Sequence, residues 1–355
     1  MKIVLAVRTY PTRRGGGMPF VTQDRAHELV RQGHEVHILT TGMDQGGMVI
    51  EEPVDAWFQD GTEWRKGPTG SAVTVHHLPC APETYSTTYA QQCDDLVRRL
   101  QPEIVHLDGF DRDNPWYSGG TWRKAITLHG FGWGGTLSNW QAYRTGRGDK
   151  PIANFEGMKK ESIELRDRFH AVITISTQEY WLAEDLYGLT NVHLVYNPIL
   201  PDYFIRPLVP PPAEKQFLCA SITGQAMRCW DFAQACCAEA GVKLVQVKDV
   251  PRDQMPALYD QSTAVLVLSL YEQGFDLTCA EAAARGRAII CHNIGSYGRE
   301  AEGDKFMVTI PPLDRAALIE LLQAPVENYP LIANLQQSIH QPSTHVAEWF
   351  QAIGI

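Results

Sequence analysis

The stretch Leu268–Glu300, LSLYEQGFDLTCAEAAARGRAIICHNIGSYGRE, decides the fold. It overlaps the apolar run Ala264–Leu268, which is typical of a buried strand. A loop follows, and Phe275–Thr278 then opens a short helix that carries Glu281 in its first turn. A helix start offers unpaired N–H groups and a partial positive charge that suit a diphosphate, and a carboxylate further in suits ribose or sugar hydroxyls. This stretch therefore predicts a nucleotide-sugar site.

The same alternation of strand and helix extends over the whole chain. The apolar patterns predict strands at 2–7, 35–40, 73–78, 103–107, 124–128, 171–175, 217–222, 242–247, 264–268 and 288–291. They predict helices at 22–32, 91–100, 162–169, 230–240, 255–261, 278–285 and 345–353. Such a β-α-β rhythm indicates an α/β protein with parallel, doubly wound sheets. The proline-rich segment Val195–Pro212 is the best candidate for a linker between two units.

Composition narrows the class of protein. The chain has 355 residues, about right for two domains, with 44% hydrophobic and 20% charged residues. Its net charge of −10 argues against a sequence-independent grip on nucleic acid. No signal peptide, membrane span or CxxC pair is visible, so the expectation is a cytoplasmic protein with reduced cysteines and no zinc.

Four stretches resemble the retaining glycosyltransferases of family 4, which have the GT-B fold. They are the glycine-rich loop and helix GGGMPFVTQDRAHELVRQGHEV, the strand end ITLHG, the segment AVITIS…VYNP, and YEQGFDLTCAEAAARG. The resemblance implies two Rossmann-like domains whose parallel sheets face a central cleft. It places an acceptor-side domain at residues 1–196 and a nucleotide-sugar-binding domain at 197–340, with a terminal helix at 341–355 that packs back on the first.

The resemblance also implies roles for individual residues. His129, at the carboxyl end of a strand where open α/β sheets bind ligands, would orient the donor sugar. Arg228 would neutralise charge on the departing nucleoside diphosphate, and Glu281 would accept hydrogen bonds from ribose. Candidate catalytic residues are His129, Arg228, Glu272 and Gln273. Candidate donor-binding residues are Gly16, Gly17, Gly274, Phe275, Asp276, Leu277, Thr278 and Glu281.

The chain departs from the family pattern at two places. The family motif has two glutamates separated by seven residues; Glu281 fits the second, but Gln273 occupies the first position and Glu272 lies one residue earlier. Either a one-residue bulge presents Glu272, or Gln273 replaces the acid as a neutral hydrogen-bonding group. Arg228 falls near the family's lysine position, and no clear partner arginine accompanies it.

A DxD sequence, Asp111–Asp113, is the metal–nucleotide signature of a different glycosyltransferase fold. We interpret it as a loop, because the surrounding chain resembles GT-B proteins, which do not need a bound metal. The segment from 109 to 154 is long and rich in aromatic residues, which suit sugar rings but also simply pack loops. No metal and no cofactor is therefore expected beyond the nucleotide sugar as substrate.

The preferred hypothesis is a retaining, metal-independent hexosyltransferase that uses a UDP- or GDP-sugar. The acceptor stays open among a sugar, a lipid-linked sugar, a small molecule and a modified nucleobase. One alternative is a sugar transferase acting on modified DNA bases, which basic residues between 112 and 160 favour and the net charge disfavours. Another is a catalytically impaired relative that works as a binding or partner subunit. A dehydrogenase is disfavoured, because the first strand precedes RTYPTRRGGG and not a tight GxGxxG.

Overall fold

The computed structural model describes most of the chain. It describes residues 1–11, 17–42, 46–60, 63–82, 86–109, 120–129, 144, 146, 155–219, 229–247, 250–270, 277–293, 307–324, 333 and 339–355. Two sheets organise these residues, and each is built from one half of the sequence.

The first sheet has eight strands in the order β3-β4-β2-β1-β5-β6-β7-β8. Their bounds are β1 Lys2–Val7, β2 Glu35–Thr40, β3 Met48–Asp60, β4 Glu63–His77, β5 Ile104–Asp108, β6 Arg123–Leu128, β7 Ala171–Thr174 and β8 Val192–Leu194. All neighbours are parallel except β3 and β4, which form an antiparallel hairpin. Alternate residues of β1 enter different cores: Ile3 and Leu5 on one face, Val4 and Ala6 on the other. The sheet is thus buried on both faces, as its continuous apolar strands predict.

Helices cover both faces of this sheet. They are α1 Gly17–Arg31, α2 Thr87–Leu100, α3 Phe155–Arg168 and α4 Thr177–Trp181, which continues as a π-helical turn over Leu182–Leu186. Helix α1 ends before Gly33, whose φ of +86° places it in the left-handed region that glycine adopts without strain. The sequence predicts this helix and its end, but its start lies five residues earlier than the prediction.

The second sheet has five parallel strands in the order β10-β9-β11-β12-β13. They are β9 Gln216–Cys219, β10 Lys243–Gln246, β11 Ala264–Val267, β12 Ala288–His292 and β13 Met307–Ile310. The helices are α5 Asp202–Ile205, α6 Trp230–Ala240, α7 Met255–Asp260, α8 Leu277–Ala284 and α9 Arg315–Gln323, and a 3₁₀ turn at Arg252–Gln254 precedes α7. All eight cysteines lie within the described ranges, and none of them forms a disulfide.

The proline-rich segment is fastened to the second unit by two fully buried arginines. Arg285 donates to the carbonyls of Tyr203, Arg206 and Pro207, and to the carboxylate of Asp260. Arg287 donates to the carbonyl of Val209. The part of this segment from 203 to 209 is therefore fixed by hydrogen bonds from buried arginines, and it belongs structurally to the second unit.

The terminal helix α10, Pro342–Ala352, packs on the first unit. Val346, Trp349 and Ile353 join the core beneath β1 and α1. The Arg123 guanidinium donates to the carbonyl of Ile353. The chain thus crosses between the units twice, and the crossings are hydrogen-bonded to each other where Ile199 N–H donates to the carbonyl of His340 at 3.0 Å.

The long hairpin of β3 and β4 differs from the sequence-based prediction, which has one strand at 73–78. The pairing runs from Met48 opposite His77 to Asp60 opposite Glu63, with an irregularity between Pro53 and Asp55. Val54, Val73 and Val75 bury in the core shared with α1. Prolines and glycines interrupt the alternation in this stretch, and for that reason the pattern underestimates the strands.

Candidate functional site

Five of the predicted site residues lie within the described parts of the chain. They are His129, Gly17, Leu277, Thr278 and Glu281. The others, Gly16, Arg228, Glu272, Gln273, Gly274, Phe275 and Asp276, lie outside the described residues. The site is therefore built here from the first set and from the side chains that surround it.

A buried ion pair lies at the carboxyl edge of the first sheet. Asp108 is the last residue of β5, and Arg25 points to it from helix α1; both side chains are fully buried. Arg25 Nη1 donates to both carboxylate oxygens of Asp108, at 3.0 and 2.9 Å, and the Thr22 hydroxyl donates to one of them at 2.8 Å. Burial raises the pKa of Asp108, but Arg25, His106 and His129 together outweigh it and hold the pKa well below its usual value.

His129 contacts this ion pair from the end of the next strand. Its Nε2 lies 3.4 Å from Oδ1 of Asp108, and 15% of its side chain is exposed. Because β5 and β6 are parallel neighbours, their carboxyl ends meet at one edge of the sheet, which brings Asp108 and His129 together. The sequence predicts the place of His129 but not its partner.

Two side chains of the terminal helix complete the buried cluster. Arg25 Nε donates to Nε2 of His345 at 3.0 Å, and the Trp349 indole N–H donates to Nδ1 of His106 at 3.0 Å. An arginine and an indole can only donate, so each histidine nitrogen that receives them carries no proton. Burial lowers the pKa of His106 to about 4 and that of His345 well below its usual value. Both rings are neutral and act as fixed hydrogen-bonding groups.

Helices from the two units approach each other where the predicted donor site lies. A Cβ placed on Gly17, the first residue of α1, would be 3.7 Å from Cδ1 of Leu277, the first residue of α8. Two helix N-termini, one from each sheet, are thus in van der Waals range. Each helix N-terminus carries a partial positive charge, which gives this junction the character of an anion site.

Glu281 lies deeper than the sequence predicts. Helix α8 begins at Leu277, so Glu281 is its fifth residue and falls in the second turn. The Tyr259 hydroxyl donates to its Oε2 at 2.9 Å. Burial, and then the charge of Glu281, raise the pKa of Tyr203 well above its usual value. The Tyr203 hydroxyl is buried and interacts with Glu281, so a second hydrogen-bond donor lies beside this carboxylate.

A second ion pair joins the units beside this carboxylate. Arg252, before α7, donates two hydrogen bonds to Asp24 of helix α1. Its guanidinium carbon lies 4.5 Å from the ring centroid of Phe20. Asp24 therefore pairs with a residue of the second unit, whereas the next residue, Arg25, pairs within the core of the first.

Sequence reasoning overlooks Arg25, Asp108 and Arg252. One signal is present for Arg25: it stands four residues from both Val21 and Leu29 on the buried face of α1. A charged residue at such a position needs a buried partner. Asp108 carries a similar signal, because it directly follows an apolar strand.

The described residues contain no candidate metal site. No group of three or more His, Cys, Asp or Glu side chains in this part of the chain could hold a metal ion, and the DxD residues Asp111 and Asp113 lie outside it. Nor is any helix in the described ranges long and apolar enough to cross a membrane.

Solved structures with the same fold cover nearly the whole chain. A sucrose-phosphate synthase from Thermosynechococcus elongatus matches with a TM-score of 0.66 at 12% identity, over 99% of this chain and 98% of that one. A glycosyltransferase from Rickettsia africae matches with a TM-score of 0.64 at 11% identity, over 99% and 97%. HepE of Anabaena, solved with UDP, matches with a TM-score of 0.61 at 12% identity, over 99% of both chains. The shared fold is GT-B, with two Rossmann-like units.

A sequence family described as Glycosyltransferase Family 4 matches residues 15–203. This match spans the glycine-rich segment, helix α1, the strand that ends at His129 and the first crossing between the units. It covers more than half of the 355 residues. The chain belongs to glycosyltransferase family 4, a family of sugar-transferring enzymes.

Proposed function

We propose that this enzyme is a retaining glycosyltransferase that transfers a sugar from a UDP- or GDP-sugar to an acceptor hydroxyl. The observation that carries the proposal is the position of helix α1. Arg25 of this helix pairs with Asp108, which is hydrogen-bonded to His129. Asp24 of the same helix pairs with Arg252, whose pKa the charge of Glu281 helps to raise. The two groups predicted to hold the donor thus stand on either side of one helix, whose N-terminus meets that of α8.

The donor would bind on the second unit. The N-terminus of α8 suits the diphosphate, and Glu281, with the Tyr203 and Tyr259 hydroxyls near it, suits ribose hydroxyls. Among the compared structures, HepE contains UDP, and a TarM structure from S. aureus contains UDP and an α-GlcNAc-glycerol. These ligands support a uridine nucleotide as the first donor to test.

Retention fits the chemistry of the described cluster. A general base needs a pKa near the working pH, whereas Arg25 helps to hold the pKa of Asp108 well below its usual value. Asp108 is also fully buried, so it is badly suited to take a proton from an acceptor. We propose that the donor's own phosphate takes that proton during attack from the same face as the departing diphosphate. His129 would orient the sugar, and no metal takes part.

The test is a mass-spectrometric screen of nucleotide sugars for hydrolysis and transfer, after exhaustive treatment with EDTA. NMR of the product then gives the anomeric configuration. Retained configuration without added metal is the expected result; an inverted product, or activity that only Mn²⁺ restores, would contradict the mechanism. Transfer to duplex DNA with modified bases would favour the DNA alternative. Binding of nucleoside diphosphates without any turnover would favour the impaired relative.

A further inference from the structure

We propose that Asp108 is a positioning residue that sets the tautomer and orientation of His129, and that Arg25 and His345 extend this control to the terminal helix. The proposed role of His129 rests on the function proposed above. The hydrogen bonds themselves do not, because they are formed between groups of the protein.

The first step is the charge state of Asp108. Its carboxylate accepts hydrogen bonds from Thr22 and Arg25, and Nε2 of His106 lies 3.5 Å away. All of these groups stabilise the ionised form. An ionised carboxylate can only accept, so its hydrogen bond with His129 requires that Nε2 of the ring carry the proton and donate it.

The second step concerns the other ring nitrogen of His129. With the proton on Nε2, a neutral imidazole presents a lone pair at Nδ1, and among the described residues Nδ1 has no hydrogen-bond partner. The ring is partly exposed, so Nδ1 is available to accept from a sugar hydroxyl. The hydrogen bond to Asp108 is long, at 3.4 Å, and catalytic hydrogen bonds often shorten when substrate binds.

The third step links the terminal helix to this dyad. Arg25 Nε donates to Nε2 of His345, and Nδ1 of His345 contacts the carbonyl of Tyr196 at 2.8 Å. His345 is therefore neutral, with its proton on Nδ1, and it fixes the guanidinium that holds Asp108. A residue 216 positions after His129 thus contributes to the geometry of that ring.

The inference can be tested on the full-length protein labelled with ¹⁵N-histidine. The twelve histidines give separate signals, and the one missing from a His129→Gln variant belongs to His129. At about pH 8.5, above the ordinary titration range of imidazoles, the wild type should show a protonated Nε2 and an unprotonated Nδ1 at this residue. A signal for the opposite tautomer would overturn the proposal, whether or not any sugar is transferred.

Variants test the extended network. Asp108→Asn should abolish the tautomer preference and lower kcat between about 10-fold and 10⁴-fold, with a smaller change in KM. His345→Gln keeps an acceptor for Arg25 and serves as the matched control for His345→Leu. The Leu variant should shift the His129 signals and lower kcat, and the Gln variant should restore both. Equal signals and rates for a folded Leu variant and the wild type would contradict the role of the terminal helix.

The two readouts separate the proposals. If no donor is turned over but the tautomer is as expected, the positioning network stands and the assigned reaction fails. If transfer occurs and the tautomer is the opposite one, the reaction stands and the positioning role fails. If the Asp108→Asn variant does not fold, the wild-type signal and the two His345 variants still test the positioning role.

Discussion

Arg252 and Asp24 form an ion pair that joins the two units in addition to the two chain crossings. Nη1 lies 2.8 Å from Oδ1 and Nη2 lies 2.5 Å from Oδ2, and the side chains are 11% and 6% exposed. Burial lowers the pKa of Arg252, but Asp24, with Glu281 and Tyr203, outweighs this effect and raises it. Such a two-bond geometry fixes direction as well as distance, so the pair constrains the relative placement of α1 and α7.

We expect Arg252→Gln to lower the free energy of unfolding by about 3 kcal/mol, because it leaves the Asp24 carboxylate buried without its partner. The double variant Asp24→Asn, Arg252→Gln should recover part of that loss. Urea denaturation measures both. The matched control is Arg315→Ala, which breaks a pair with Glu239 whose side chains are 52% and 51% exposed, and it should cost far less, because exposed ion pairs contribute little to stability. Equal losses of unfolding free energy at the two sites would show that the pair between the units stabilises the protein no more than an exposed pair does.

Trp349 anchors the terminal helix by both shape and hydrogen bonding. It is fully buried in the core of the first unit, and its N–H is bonded to His106. Trp349→Phe leaves Nδ1 of His106 unpaired and a small cavity, so we expect a loss of about 1–3 kcal/mol in the free energy of unfolding. Trp181→Phe is the control, since Trp181 is 44% exposed and should change stability by less than about 0.5 kcal/mol. Equal changes in stability for both variants in urea denaturation would show that Trp349 does not anchor the terminal helix.

The buried neutral histidines predict a loss of stability in acid. The pKa values of His106 and His340 are each lowered to about 4 by burial, whereas the unfolded chain titrates near 6.5. Below pH 6.5 the unfolded chain therefore takes up protons that the folded protein refuses. Stability falls as the pH drops from about 6.5 to about 4, and each residue contributes about 2 kcal/mol to the loss by pH 5.

Denaturation in urea at pH 7.5 and pH 5 tests this expectation. His340 Nδ1 is 2.6 Å from the carbonyl of Asn197, and the amide of an asparagine could donate to the same oxygen. His340→Asn thus keeps the hydrogen bond and removes one titrating group. Its stability should fall about 2 kcal/mol less than the wild type between the two pH values. An unchanged pH dependence in this variant would show that His340 is not one of the groups responsible.

The sequence predicts the elements whose pattern is local. The bounds of helix Trp230–Ala240 agree with the prediction, and the apolar run before Asp108 predicts strand β5. The hairpin at Met48–His77 is underestimated because its order comes from pairing and from packing under α1, which the alternation of residues does not record. Strand β13 and helix α9 are also absent from the prediction.

The candidate site also has a part that the sequence predicts and a part that it does not. His129 is predictable because it follows an apolar strand at the edge where ligands bind. Its network is not, since Arg25, Asp108 and His345 lie far apart in sequence and meet only when the terminal helix folds back. A buried charge in an amphipathic helix shows that a partner exists, but only the fold says which residue that partner is.

The altered first position of the glutamate motif gives a prediction of its own. Glu272 and Gln273 lie outside the described residues, so the two registers stay open. If a bulge presents Glu272, then Glu272→Gln should abolish transfer and Gln273→Ala should have little effect. If Gln273 occupies the position, the order of the two effects is reversed. Rates are measured with saturating donor; near-wild-type rates for both variants would mean that neither side chain contacts the sugar.

Glu281 should hold the donor rather than the fold, and the structure allows the two roles to be separated. Glu281→Ala removes the acceptor for Tyr259, whereas Glu281→Gln keeps an oxygen for that hydrogen bond and loses only the charge. Hydrogen bonds to a charged group contribute about 1.5–3 kcal/mol against about 0.5–1.5 for neutral ones, so we expect Glu281→Gln to weaken nucleoside diphosphate binding about tenfold at nearly unchanged stability. Tyr259→Phe is the control for the internal bond: it should lower stability more than affinity. Calorimetric titration with UDP and GDP measures the affinity. A folded Glu281→Gln variant that binds as tightly as the wild type would remove Glu281 from the donor site.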